Sequence, residues 1–311
     1  GIDHSLLFNS GTSALHAAFH AVGAIAGTEV VVPGYTFPAS ATPALLCGAQ
    51  VRFCDVDPTT LTLDPRSLES ALSEKTVAVC PVHVWGDPAD MDAIMEICAP
   101  RGIAVVEDAS HSPGAVYRGR KVGTIGDIGC FSLQGRKAVT GGELGLAVTA
   151  SRDLWERMLG VGFFGRTGGE IHNPRHSVDG FSLGAKYRPH LFAAALAASS
   201  LRRLPQLNAA RSQRWQWLQE ELEGLKSVRP TRTLPDATRG GFLEYVFRYF
   251  PDEAGGLPVG SFVNAVAAEG APVYVDRYTR LGARRSVIAS SPLFDQEGAL
   301  AGLEALPGCQ K

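Results

Sequence analysis

Four runs crowded with β-branched residues recur through the first third of this chain: EVVVP (29–33), QVRFCDVD (50–57), TVAVCPVHV (76–84) and IAVVEDA (103–109). Near-continuous apolar strands are buried on both faces, and strands that alternate with helices form a parallel sheet covered on both sides. The intervening stretches have helical character. GTSALHAAFHAVGAIA comes after a first strand, LLFN, and places Leu and Phe at helical spacing in an Ala-rich background. PASATPALLCG, DPRSLESALSE, opened by Asp64 and Pro65, and DMDAIMEICAPRG continue the alternation. The expected architecture is α/β, with a mostly parallel central sheet flanked by helices.

The second half reads differently. From Phe192 to about Lys226 an Ala-rich and then Arg-, Gln- and Glu-rich pattern predicts long helices broken at Pro205. GGFLEYVFRYF, SFVNAVAAEG and APVYV then alternate strand, helix and strand. The 311 residues exceed what one core comfortably organises, since single cores stop growing at about 250–300 residues. We therefore expect a large domain over 1–205 and, over 206–311, a bridging helix with a small α+β C-terminal domain. The chain opens almost directly on a strand and ends at LEALPGCQK, which suggests that pieces of both termini are missing.

A formal net charge of −2 gives no electrostatic footprint for nucleic acid or an anionic membrane. No run approaches the roughly 18 apolar residues of a membrane span, and GIDHSLLFNSGTSAL lacks the order of a signal peptide, so a cytoplasmic location is expected. The six cysteines are scattered without a CxxC pair, which suits reduced core thiols better than disulfides or a metal site.

Ligands of open parallel sheets bind beyond the carboxyl ends of the strands, and four such segments stand out. Asn9-Ser10-Gly11-Thr12-Ser13 leads into a helix, where free N–H groups and small hydroxyls make a phosphate cradle; ordinary N-capping is the alternative. Gly34-Tyr35-Thr36-Phe37 puts a ring at a strand end, either as core or as a cover for a planar ligand. In Glu107-Asp108-Ala109-Ser110-His111, a carboxylate at a buried strand end calls for a cationic partner, while His111 reads equally as a hydrogen-bonded core residue. In CFSLQGRKAVTGGELG (130–145), Lys137 comes after Ser132 and precedes a glycine cluster. Such a lysine is either a solvated loop residue or an amine able to form a Schiff base.

Together these segments offer a phosphate cradle, a stacking face, a buried anion for a ring cation and a reactive amine, which are the requirements of pyridoxal 5'-phosphate. In that reading Lys137 is the covalent anchor and proton carrier, and Asp108 holds the proton on the pyridine nitrogen.

With these residues in place, the chain resembles the sugar and cyclitol aminotransferases of the DegT/StrS type, within fold type I of the pyridoxal-phosphate-dependent transferases. The motifs that carry the resemblance are SGTSAL, VVVPGYTFPAS, FCDVDPTTLTLDP, PVHVWGDPADMD, VVEDASHSPGA, FSLQGRK and GAKYRPH. The resemblance implies that Lys137 is the Schiff-base lysine, Asp108 the pyridinium partner and His111 the residue near the ring and its phenolic oxygen. It makes Phe37 the stacking aromatic and places Gly11, Thr12, Ser13 and Ser132 at the phosphate. It also implies a homodimer with a shared active site, in which the 184–188 segment GAKYR reaches the partner's phosphate. Lys186 stands there where the family usually has Asn, and Leu144 stands where it usually has Gly. If that second position requires a positive φ, Leu144 is strained.

The implied reaction moves an amino group from an amino acid, Glu or Gln, to a keto-sugar or keto-cyclitol in secondary-metabolite or sugar biosynthesis. An elimination or cyclisation with the same cofactor, and a catalytically silent partner subunit, are the alternatives. Lys137 speaks against the dehydratase route, because dehydratases of this family carry His at that position.

Overall fold

The computed structural model describes residues 2–163, 171–173, 184–275 and Tyr278. A seven-stranded sheet organises it. In chain order the first elements are β1 (His4–Phe8), α1 (Gly11–Ala21), β2 (Glu29–Pro33), α2 (Thr42–Leu46), β3 (Gln50–Cys54), α3 (Pro65–Ala71), β4 (Thr76–Val79), α4 (Met91–Cys98) and β5 (Ala104–Asp108). A small hairpin of β6 (Val116–Tyr117) and β7 (Arg120–Lys121) precedes β8 (Ile128–Ser132), β9 (Gly145–Thr149) and α5 (Arg152–Gly162). The large sheet has the order β1-β9-β8-β5-β4-β2-β3. The contacts from β3 across to β8 are parallel, and β9 alone runs against its neighbours, antiparallel to both β8 and β1.

The sequence dictates this locally. EVVVP is buried at every position, as its unbroken β-branched run requires. Asp64, followed by Pro65, caps α3 through a bond from the Arg66 N–H, and Asp90 caps α4 through one from Ala93. One apolar cluster, including Phe8, Leu15, Phe19, Val30, Val32 and Met158, fills one side of the sheet. A second, including Leu63, Leu68, Met91, Ile94 and Val105, fills the other.

The long helices are α6 (Leu191–Arg202) and α7 (Leu204–Glu221), broken where Pro205 opens α7. Beyond them come β10 (Val228–Pro230), β11 (Ala237–Thr238), β12 (Phe247–Tyr249) and α8 (Val259–Ala268). β10 pairs with β12, whereas β11 returns to pair with β6. Two expectations need correction. GGFLEYVFRYF contributes only Phe247–Tyr249 to a strand, and APVYV forms none. Val273, Tyr274 and Val275 are instead 40–54% exposed, with no neighbouring strand among the described residues to pair their backbone. The expected end of the small domain, including LEALPGCQK and Cys309, lies outside the described residues.

Candidate active site

A cavity of about 290 Å³ opens at the carboxyl ends of β1, β5 and β8. The strand ends deliver Asp108 from β5 and Ser132 from β8, and α1 begins at the cavity wall with Gly11 and Thr12. The loop from Leu133 to Leu144 delivers Lys137. That loop is pinned at its base: the Leu133 N–H donates to the Leu144 carbonyl at 2.8 Å, and the Gly141 N–H to the Leu133 carbonyl at 2.9 Å. Leu133, Val139 and Leu144 then pack with Ala197 of α6 and Leu204 of α7. Leu144 is fully buried, and its φ is not positive, so the strain anticipated at that position is absent. Its side chain fills core instead.

Seven of the nine residues singled out from the sequence line this cavity: Gly11, Thr12 and Ser132, with Phe37, Asp108, His111 and Lys137. Lys137 is half-buried rather than a solvated loop residue. Two do not line it. Ser13 is turned into the helix cap, where its hydroxyl donates to Asn9 Oδ1 at 2.6 Å and accepts from Ser10, while its N–H donates to Ser10 Oγ at 3.0 Å. Lys186 is exposed on a bridge to Phe163, away from the cavity.

The cap matters for the cavity. The first N–H groups of a helix lack intrahelical acceptors. Ser10 satisfies those of Ser13 and Ala14 through its side chain and carbonyl. The N–H groups of Gly11 and Thr12 remain for a ligand at the positive end of the helix. Gly11 is required there, because a Cβ would lie 2.8 Å from Ser132 Cβ and 3.0 Å from its Cα.

Asp108 is 5% exposed. Its Oδ2 accepts from Ser40 Oγ at 2.7 Å and its Oδ1 from the Ser110 N–H at 3.1 Å, both neutral donors. The cationic partner that the sequence called for is not found among the described residues that bond to Asp108. Burial, then the nearby Asp108 charge, pushes the thiols of Cys80 and Cys130 far up, so both stay neutral beside it. The five described cysteines are free thiols.

His111 is buried and oriented from both sides. Its Nδ1 accepts from the Trp85 N–H at 3.3 Å, so in the neutral ring Nε2 carries the proton and faces Tyr278 Oη at 3.2 Å. Trp85, His111 and Tyr278 stack, with interplanar angles of 21–27°. Phe37 is 52% exposed at the cavity, unlike a core ring.

Sequence reasoning does not find Trp85, Ser40, Leu243 or Tyr278. For Trp85 the signal exists, an aromatic shortly after a strand, as at Phe37. Leu243 and Tyr278 come from segments without strand-end context, and nothing in the sequence marks them. Glu107, next to Asp108, serves the scaffold. It is fully buried and accepts from His83 Nε2 at 2.9 Å and from the N–H groups of Gly123, Ile125 and Gly126 at 2.7 Å each. Burial alone would raise its carboxyl pKa, but these donors outweigh it and hold the group below its ordinary value.

Among the described residues there is no cluster of three or more potential metal ligands, and no helix is long and apolar enough to cross a membrane.

The model of the DegT/DnrJ/EryC1/StrS aminotransferase family matches residues 1–269. The chain is 37% identical over 225 residues to a GDP-perosamine synthase of Caulobacter vibrioides, covering 72% of this chain and 59% of that protein. It is 34% identical over 273 residues to an L-glutamine:2-deoxy-scyllo-inosose aminotransferase of Streptoalloteichus tenebrarius, covering 86% of this chain and 64% of that one. The chain therefore spans less than two thirds of the length of these two relatives. Among solved structures, 3-amino-5-hydroxybenzoic acid synthase superposes with a TM-score of 0.82 at 30% identity, covering 96% of this chain and 74% of that one.

Proposed function

The chain belongs to the DegT/DnrJ/EryC1/StrS aminotransferase family, and on that premise we propose that it is a pyridoxal-phosphate-dependent aminotransferase acting on a keto-cyclitol or keto-sugar, with glutamine or glutamate as amino donor. The observation that carries this reading is that Lys137, Asp108 and the first turn of α1 open on one cavity. The names of the relatives support the choice of donor and acceptor.

The residues present fit the cofactor. Gly11, Thr12 and Ser132 would hold its phosphate, Asp108 its ring nitrogen, Phe37 and His111 its ring, and Lys137 its carbonyl carbon. When bound, pyridoxal phosphate supplies an electrophilic carbonyl and a protonated ring that accepts electrons from a carbanion. Asp108 is suited to keep that ring proton, because its two neutral hydrogen bonds fix the carboxylate without neutralising it. His111 Nε2–H, which faces Tyr278 Oη at 3.2 Å, would exchange that partner to donate to a phenolic oxygen. Lys137 Nζ would be the base that takes the proton from the donor's α-carbon in the first half-reaction and the acid that delivers one to the acceptor's former carbonyl carbon in the second.

The reading extends to the assembly and the cell. A homodimer completes the site, with Lys186 reaching towards the partner's phosphate. A cytoplasmic location is supported by the five unbridged thiols.

The test is spectroscopic. Protein loaded with pyridoxal phosphate is expected to be yellow, to bleach with glutamine or glutamate and to recover with a keto-cyclitol or nucleotide keto-sugar. Lys137→Ala is expected to lose the borohydride-reducible link while keeping its far-UV spectrum. Protein that takes up no cofactor would refute the assignment, and bleaching that no keto acceptor reverses would favour elimination.

A further inference from the structure

Residues 83–87 form a tight turn that follows Val82, which lines the cavity, and packs behind His111, which also lines it. At its centre Trp85 adopts the left-handed conformation (φ 57°, ψ 11°), which Cβ sterics disfavour. Its ring lies on His111 at 5.3 Å between centroids, and its N–H fixes His111 Nδ1. Such a backbone persists only when its surroundings over-determine it.

The turn is anchored at both ends by buried polar groups. At the first, His83 Nε2 donates to Glu107 and His83 Nδ1 accepts from the Ala89 N–H at 3.0 Å. At the second, Asp87 pairs with Arg239, and each side chain is 2% exposed. Thr233 joins the pair: its hydroxyl donates to Asp87 Oδ1 at 2.8 Å and accepts from Arg239 Nε at 2.9 Å. Arg239 Nη2 donates to Thr231 Oγ1 at 2.7 Å and to its carbonyl at 3.0 Å, and the guanidinium lies 4.2 Å from the Trp215 ring centre.

Immediately beyond Arg239 runs the 240–243 segment, which ends at a residue of the cavity lining. The Gly240 N–H donates to the Gly86 carbonyl at 3.1 Å, and a Cβ on Gly86 would lie 2.3 Å from the Gly240 oxygen. A Cβ on Gly241 would lie 2.3 Å from the His111 carbonyl, and Leu243 lines the cavity. The 240–243 segment is therefore wedged between the Trp85 turn and the His111 turn.

We propose that Asp87 and Arg239, coupled through Thr233, are positioning residues that clamp the Trp85 turn to the 240–243 segment and so set the geometry of the His111 face of the site. A buried ion pair is by itself weak evidence for stability. Among the described residues Arg239 Nη1 has no hydrogen-bond partner, so the pair is not fully satisfied by them. Its planar fork instead reaches three elements at once, which a lysine cannot do.

The consequence for the cofactor rests on the aminotransferase reading; the clamp on Trp85 does not. The test uses Arg239→Lys and the milder Thr233→Val, both in a Trp215→Phe background so that the ring under Arg239 does not contribute. In cofactor-free protein, both variants are expected to lose near-UV circular dichroism from the Trp85 stack, and the loss is expected to vanish when Trp85→Phe is added. In loaded protein, the dissociation constant of pyridoxal phosphate is expected to rise about tenfold or more for Arg239→Lys, the scale on which small misplacements act. Wild-type near-UV spectra in the variants that fold would overturn the clamp, whatever their melting temperatures. Should Arg239→Lys not fold, Thr233→Val decides alone. Should the parent protein bind no cofactor, the aminotransferase reading fails and the cofactor-free spectra still decide the clamp.

Discussion

Asp108 and Glu107 are adjacent in sequence and opposite in task. Asp108 takes two neutral donors and faces the cavity, so Asp108→Asn removes charge without stranding a buried cation. Turnover is expected to fall about 10²-fold or more, the usual scale for losing one electrostatic contact in a site, with little change in melting temperature. Steady-state kinetics beside calorimetry checks this. Glu107 is a matter of stability. Its folded carboxyl lies below the ordinary value of 4.5, so the unfolded chain binds the proton more readily. The stabilisation is complete above pH 4.5 and is lost as pH falls through the lower folded value; Glu107→Gln is expected to flatten the acid limb of a denaturant-midpoint profile. From sequence, both residues read as strand-end acids, and only the loop N–H groups at 123–126 tell them apart. Ser13 is ambiguous for a similar reason: spacing on a helix does not show which hydroxyl caps and which faces a ligand.

At the scale of elements, the start of α1 is the most constrained piece. Gly11→Ala places a methyl 2.8 Å from Ser132 Cβ, so the helix must move off β8. The affinity for pyridoxal phosphate is expected to fall in a fluorescence titration, while far-UV helicity is retained. Ser10→Ala removes the cap that orders the same turn and is expected to cost about 1 kcal/mol in chemical denaturation. The parallel strands are legible because their β-branched runs admit no other reading, and the α6–α7 break because proline cannot continue a helix. APVYV has strand composition without a strand neighbour, and pairing is a tertiary fact. Strain at Leu144 depends on a positive φ there; the chain instead puts positive φ at Gly142 and sends the leucine into the core.

At the scale of the molecule, α6 presents Leu191 and Phe192 at 82% and 80% exposure, with Leu196 and Leu201 half-exposed. Large apolar side chains exposed at the start of α6 suit the interface of the proposed homodimer. Leu191→Asp with Phe192→Asp is expected to convert the proposed homodimer to monomer in sedimentation equilibrium and to lower cofactor retention, because Lys186 would no longer meet a partner's phosphate. A sedimenting dimer unaffected by both changes would place the interface elsewhere. The sheet itself has a temporal implication. Among the described residues β1 has β9 as its one strand neighbour, through pairs running from His4 with Thr149 to Phe8 with Gly145. Contacts between such distant positions form slowly. On refolding, the central strands should acquire hydrogen-exchange protection first, with the wall that begins at Ser10 closing last, so that ligand uptake lags behind collapse.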